Sequence, residues 1–219
     1  MRLFSRLTMI LATAALAVPS AVRAGDPPVG VHAFAAIDFN QFAASNTFRA
    51  IFGSSTIPGY GGGADITDVW SHLFVRVAVT HLTKDGTRVF VDNSQVFKLN
   101  QPAKLSMTPI ELGAGWRFPT GRRSRFTPYA GGGALFAKYS VTYTQSPDLN
   151  ESESFTGGLV FGGVEVAITR VLTVGGEAQY RALPNALKSD LTSSAANAFG
   201  EKNLGGFTGR ITFGVKFGK

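Results

Sequence analysis

The chain has 219 residues, among them 26 glycines and 18 phenylalanines, with 16% charged residues, a composition that suits strands and turns better than helices. It contains no cysteine, which excludes a disulfide-stapled scaffold. Of the formal charge of +7, three arginines fall in the first 24 residues; the remainder carries 18 basic against 14 acidic side chains, a net +4 too mild to argue for nucleic acid.

Residues 1–6 are basic through Arg2 and Arg6, residues 7–18 are apolar, Pro19 and Ser20 break the run, and Val22-Arg23-Ala24 offers small residues for cleavage before Gly25. This pattern reads as a secretory signal peptide over 1–24. The apolar run falls well short of the roughly 20 residues a spanning helix needs, which weakens the alternative of an N-terminal anchor. Residues 25–219 then form one domain.

The rest of the chain alternates between apolar and polar residues with period two, the mark of strands whose faces meet different surroundings. The spacing predicts strands over 31–42, 59–69, 72–83, 105–118, 126–144, 154–168, 171–183 and 205–217. The last shows the pattern best, with Phe207, Ile211, Phe213, Val215 and Phe217 on one face and Thr208, Arg210, Thr212 and Lys216 on the other. Short turns at Trp70-Ser71, 119–125 and Thr169-Arg170 alternate with long connections at 43–58, 84–104, 145–153 and 184–204. Four hairpins of this kind predict an all-β fold, an eight-stranded antiparallel up-and-down barrel. The asymmetry of its ends matches transmembrane barrels, which have short periplasmic turns and long outer loops. If Trp70-Ser71 is a two-residue turn, Val69 opposes His72, Thr67 opposes Phe74 and Asp65 opposes Arg76, the last as a salt bridge.

Charges gather on one parity: Asp38, Asp65, Arg76, Glu111, Arg117, Lys138, Glu165, Glu177, Arg181, Arg210 and Lys216. The other parity is apolar, as in Leu73, Val75, Val77 and Val79. A basic side chain facing lipid at mid-bilayer costs about 2 to 4 kcal/mol, so the charged parity is assigned to the lumen. A soluble lipocalin-type barrel would invert this arrangement. Its water-facing surface would carry about 25 to 35% charged residues, more than the one or two per strand found here. Aromatics near the predicted strand ends form two girdles, Trp70, Trp116, Phe118 and Phe217 below and Phe39, Tyr60, Tyr139, Tyr143 and Phe207 above, as membrane interfaces favour. Strands five and six fit less well. Phe136, Leu159 and Phe161 fall on the lumen parity and predict either a bulge or a small apolar patch inside.

On its signal peptide, its alternation, its glycine-rich strands such as Gly131-Gly132-Gly133 and its Phe-rich last strand, the chain resembles the eight-stranded outer-membrane β-barrel superfamily of OmpA-, OmpX- and OmpW-like proteins. The resemblance covers residues 31–217. It implies a bacterial, Gram-negative outer-membrane location, contact with outer-membrane lipid and lipopolysaccharide, and insertion by the barrel-assembly machinery. Such barrels usually end on an aromatic residue, whereas Phe217 is followed by Gly218 and Lys219.

Eight strands leave an interior just wide enough for side chains to fill. Five acids and six bases are expected there, either as a structural ion-pair network that plugs the barrel or as a narrow path in which the pairs exchange partners; binding of a small apolar molecule near Phe136, Leu159 and Phe161 is a further alternative. No enzyme is expected. His32 and His72 fall near the periplasmic end as interface residues, His81 near the outer rim has no nucleophile or acid motif beside it, and the carboxylates lack metal-ligand spacing. Neither a metal nor a cofactor is expected.

In the long connections, residues 45–53 predict a two-turn helix closed by Gly53, with Phe48, Ile51 and Phe52 on one side as a lid on the barrel or a contact site. Lys84-Asp85-Gly86 is a hairpin turn signal, followed by another at Asp92-Asn93-Ser94. Strands three and four therefore either project beyond the membrane or add a pair to make ten strands. Arg117, Arg122, Arg123 and Arg125 gather beside a periplasmic turn, as a solvated turn or as a contact for anionic headgroups.

Overall fold

The structure is a computed structural model, described for residues 29–92, 95–120, 124–143, 148, 150–184, 186–187 and 192–218. The expected signal peptide, Arg122, Arg123 and the turn residues Asn93 and Ser94 lie outside the described residues. Eight antiparallel strands close in chain order into one ring: β1 (Gly30–Phe42), β2 (Thr56–Trp70), β3 (Leu73–Asp92), β4 (Gln95–Arg117), β5 (Phe126–Tyr143), β6 (Glu151–Ala167), β7 (Leu172–Ala182) and β8 (Gly206–Phe217). The ring is sealed by β8 against β1, from Val31 opposite Phe217 to Phe42 opposite Gly206. Closure leaves no open edge, the condition for a sheet to stand in hydrocarbon.

The period-two pattern sets which side chains point in. In β3, Phe74, Arg76, Ala78 and Thr80 are buried, while Val75 and Val77 on the other face are exposed. In β7 and β8 the inward side chains are polar and the outward ones mostly apolar, as expected for lipid outside, and in β1 His32, Asp38 and Asn40 point inward beside Phe34, Ala36 and Phe42. Toward the long-loop end the alternation inverts on β3 to β6, and Tyr139 and Tyr143, expected in the upper girdle, are buried inside. There Leu82, Leu105, Met107, Leu135, Ala137, Tyr139 and Val141 point inward and are buried, and Thr83, Lys104, Lys138, Ser154 and Ser152 point outward and are exposed. The cause is a change of solvent. Once the wall rises above the hydrocarbon it meets water outside, and its inner face packs an apolar core.

That core belongs to a lid. Helix α1 (Ser45–Phe52) buries Phe48, Ile51 and Phe52 beside Phe42, Leu82, Leu105 and Met107. Phe42 and Phe48 stack with centroids 4.1 Å apart. Gly53 ends the helix in the left-handed region at φ 73°, its N–H donating to the Arg49 carbonyl at 3.0 Å. A second helix, α2 (Thr192–Phe199), stands in the 184–204 connection, where the sequence reading placed only a loop. Leu183, Ala195, Ala196 and Leu204 join the same core.

Two turn assignments differ from expectation. Asp65 faces Arg76 and Ile66 faces Val75, in the expected register, but the hairpin closes with Trp70 opposite Leu73. Ser71 and His72 are thus the turn residues, and an irregularity between Ile66 and Trp70 absorbs the slip, so the expected Val69–His72 and Thr67–Phe74 pairs are replaced. Asp68 and Ser71 supply positive φ angles of 58° and 57° there, which a tight reversal beside a bulge requires. Lys84-Asp85-Gly86 is not a turn. Lys84 pairs with Leu105, Asp85 with Lys104 and Gly86 with Ala103, so β3 and β4 run on together as one long hairpin until Asp92 faces Gln95. This excludes the ten-strand alternative. The packing of α1 explains the glycine: a Cβ on Gly86 would stand 2.5 Å from a ring carbon of Phe52.

Candidate functional site in the barrel lumen

The inward carboxylates and cations of β1 to β4 and β6 to β8 join into one column along the barrel. At the short-turn end, Lys216 lies 2.5 Å from Glu165, and Arg117 lies 3.2 Å from both Glu165 and Asp65. Asp65 then accepts two bonds from Arg76, from Nε at 2.7 Å and Nη2 at 3.1 Å, a forked geometry that fixes orientation as well as charge. Arg76 also bonds Glu177, and Glu177 stands 3.5 Å from Arg210. Arg210 reaches Asp38 at 2.7 Å and Glu111 at 2.9 Å, and Arg181 holds the same two acids at 3.1 and 2.5 Å.

Neutral side chains fill the remaining bonding positions. Gln179 donates to Glu111 and Glu177 and accepts from Arg181; Thr80 donates to Asp38; Asn40 accepts from Arg181 at 2.7 Å and from Thr208 at 3.0 Å. His32 closes the lower end, with Nε2 2.9 Å from the Thr173 hydroxyl and Nδ1 3.5 Å from both Asp65 and Glu165. Burial of a charge is tolerated only when it is paired and hydrogen-bonded. Among the described residues the column balances five acids against five Arg or Lys.

Opposite the column, aromatic rings line the lumen. The Arg76 guanidinium carbon lies 4.8 to 5.4 Å from the ring centroids of Phe161, Phe34, Phe74 and Tyr129, within cation–π range. Inward glycines provide the sockets. A Cβ on Gly115 would stand 2.6 Å from the Phe74 ring, and one on Gly131 would stand 2.6 Å from that of Phe161. The glycine-rich strands thus exchange side-chain volume on the wall for rings reaching across the interior. Between the column and the apolar lid, a cavity of about 20 Å³ is bounded by Asn40, Leu82, Leu135, Arg181 and Thr208 among others, room for about one water.

Of the residues expected here, the structure brings together Asp38, Asp65, Arg76, Glu111, Arg117, Glu165, Glu177, Arg181, Arg210 and Lys216. Lys138 is a correction. It is exposed on the outer wall, opposite Thr108 and Ser154. Phe136 is likewise outside, 41% exposed, whereas Leu159 and Phe161 are buried inside with Phe74, Tyr129 and Leu135. Both errors come from one cause: assuming lipid outside β5 along its whole length sends Lys138 inward, and Phe136, which shares its parity, goes with it. His32 is a second correction, a buried lumen residue and not an interface one. Asn40, Thr80, Thr173 and Gln179 were missed, although they share the parity of the charges; a scan of that parity for every polar side chain would have found them.

Residues 8–217 match the family described as outer membrane protein beta-barrel domain. Comparison with curated protein sequences gives no match. Among solved structures, the chain is similar to the outer membrane protein OprG of Pseudomonas aeruginosa, at a TM-score of 0.59 and 14% identity over 89% of this chain and 98% of that one. It is also similar to Neisserial surface protein A, at 0.51 and 17% over 87% and 97%, and to Ail, the attachment invasion locus protein of Yersinia pestis, at 0.51 and 11% over 87% and 100%. At these identities the structures agree in fold. The family match spans most of the chain, so the protein belongs to the outer membrane protein beta-barrel family and resides in the bacterial outer membrane.

Proposed function

We propose that this member of the outer-membrane barrel family is a closed barrel that serves in the structure of the envelope or in contacts at its surface, rather than passing solutes. The observation that carries this reading is the continuous acid–base column from Lys216 to Arg181. To let an ion through, several forked or bridging pairs would have to separate at once, each leaving a buried charge unpaired at a cost of about 3 to 5 kcal/mol. Above the column, Phe42, Phe48, Phe52 and Leu105 supply an apolar stopper. The outer end instead presents α1, α2 and the long β3–β4 hairpin to the surroundings.

Single-channel recording in planar bilayers tests it. The purified, refolded protein is expected to leave the bilayer silent across a wide voltage range. Reproducible unitary steps from the unaltered protein would overturn the closed-barrel reading in favour of a narrow pore, and saturable retention of a small apolar molecule by the folded barrel would favour a binding barrel.

A further inference from the structure

The long β3–β4 hairpin outruns the strand beside it. The β4–β5 ladder begins at Ala103 opposite Tyr143, whereas β4 itself begins at Gln95. On that side residues 95–101 have no strand partner among the described residues, so alternate main-chain N–H and C=O groups stand open. Pro102, which has no N–H to donate, ends the open stretch on the membrane side. Phe90 and Phe97 oppose each other on the outer face of the hairpin, with Leu99 on the same parity, and Phe97 and Leu99 are 49% and 44% exposed. Thr83, Asp85, Lys104 and Ser106 separate this group from the lipid-facing valines of β3. Leu99 also lies nine residues beyond Thr108 on β4, about 30 Å of strand, so lipid does not account for it.

On the inner face, Val96 opposes the buried Val91, and Lys98 opposes the buried Val89. Val96 and Lys98 form one wall of an open cleft of about 400 Å³, and Asn46, Arg49 and Ala50 of α1 with Phe199 of α2 form the other. Among the described residues neither Arg49 nor Lys98 forms an ion pair. The acid near the start of α1, Glu201, is engaged with Asn46 and Thr47. A strand laid along the open edge points alternate side chains to the two faces. One set enters the cleft between Lys98 and Arg49, where carboxylates fit; the other lies beside Phe97 and Leu99, where apolar groups fit. A second copy of the barrel is disfavoured there, because antiparallel self-pairing brings like charges together.

We propose that the open edge of β4 at 95–101, with the cleft beside it, binds an extended acidic segment of another protein by strand addition. The segment's main chain pairs with β4, its carboxylates reach Lys98 and Arg49, and its apolar side chains cover Phe97 and Leu99. This gives a partner chemistry to the surface contacts proposed above without resting on a closed lumen: bilayer recording decides the one, peptide binding the other.

The test uses the full barrel in phosphatidylcholine nanodiscs and a fluorescent peptide of alternating valine and glutamate, read by anisotropy. This peptide is expected to bind, whereas one with lysine for glutamate, or with the same residues in two blocks, is not. Arg49→Gln combined with Lys98→Gln should weaken binding roughly 2- to 30-fold, the range for two exposed ion pairs, and Arg49→Glu combined with Lys98→Glu should transfer the preference to the lysine peptide. Lys104→Gln, lower on the outer wall, should bind normally. Strand addition uses the N–H groups of one peptide edge, so N-methylation of the valine amides and of the glutamate amides should differ, one abolishing binding and the other sparing it. The heat-shifted gel band of each variant reports an intact barrel. No binding of the alternating acidic peptide overturns the proposal, as does a barrel dimer that the peptide fails to dissociate. Undiminished binding by the double glutamine variant, or an unreversed preference, overturns the cleft contact, and equal behaviour of the two methylated peptides overturns strand addition.

Discussion

Asp65 shows how little a single pair in the lumen means on its own. It takes a fork from Arg76, a third bond from Arg117 at 3.2 Å and the edge of His32, while Arg76 keeps Glu177 as a second acid. Removing one member therefore strands more than one partner. Asp65→Ala and Arg76→Ala are each expected to destabilise the barrel by about 3 to 5 kcal/mol. The double variant should fall short of their sum by about 0.5 to 3 kcal/mol, the range for residues sharing one network. Urea unfolding in lipid vesicles, followed by tryptophan fluorescence, measures this coupling. Additive losses would mean that the two side chains do not act on each other. By the same reasoning, Arg76 among four rings is held by packing as well as by charge, and a lysine, lacking the planar fork, is not equivalent to it.

Helix α1 depends on a residue far away in the chain. Its first turn has no side-chain cap of its own; instead the Glu201 carboxylate, from the segment before β8, accepts from the N–H groups of Asn46 and Thr47 at 3.0 and 2.8 Å and from the Thr47 hydroxyl at 2.7 Å. A carboxylate there satisfies donors the helix leaves open and meets the positive end of its dipole. Loss of a cap typically costs about 0.5 to 2 kcal/mol, so Glu201→Ala should speed amide exchange at Asn46 and Thr47 by roughly 2- to 30-fold. The strands of the barrel should keep their protection, because the apolar face of α1 stays buried. Unchanged exchange at those two amides would mean that the helix is held by its packing alone.

Closure governs the behaviour of the complete barrel. Every strand has two partners, so no strand can leave without opening the ring. The folded protein is expected to run as a compact band on a cold detergent gel and to shift mobility after boiling; one unchanged mobility would contradict a stable closed barrel. The lumen is divided in height, with cations and carboxylates where the wall crosses the membrane and an apolar core where it rises above it. This division explains why the same strand, β4, carries Glu111 inward lower down and Leu105 and Met107 inward above.

Strand number, the membrane setting and most of the inward charges were legible along the chain, because period two persists wherever a strand separates two unlike surroundings. The helix at 45–52 was legible too, from Phe48, Ile51, Phe52 and the closing glycine. The height of a side chain was not legible. Lys138 carries no local sign that β5 has passed the end of the hydrocarbon, which depends on how far the whole sheet extends upward, and Phe136 went with it because the two share a parity. Nor does alternation say which acid meets which base. Glu111 meets Arg181 and Arg210, 70 and 99 residues away, because strand tilt and closure of the ring bring them to one level. Parity is a local property of the backbone, whereas level and partnership follow from the stagger of all eight strands.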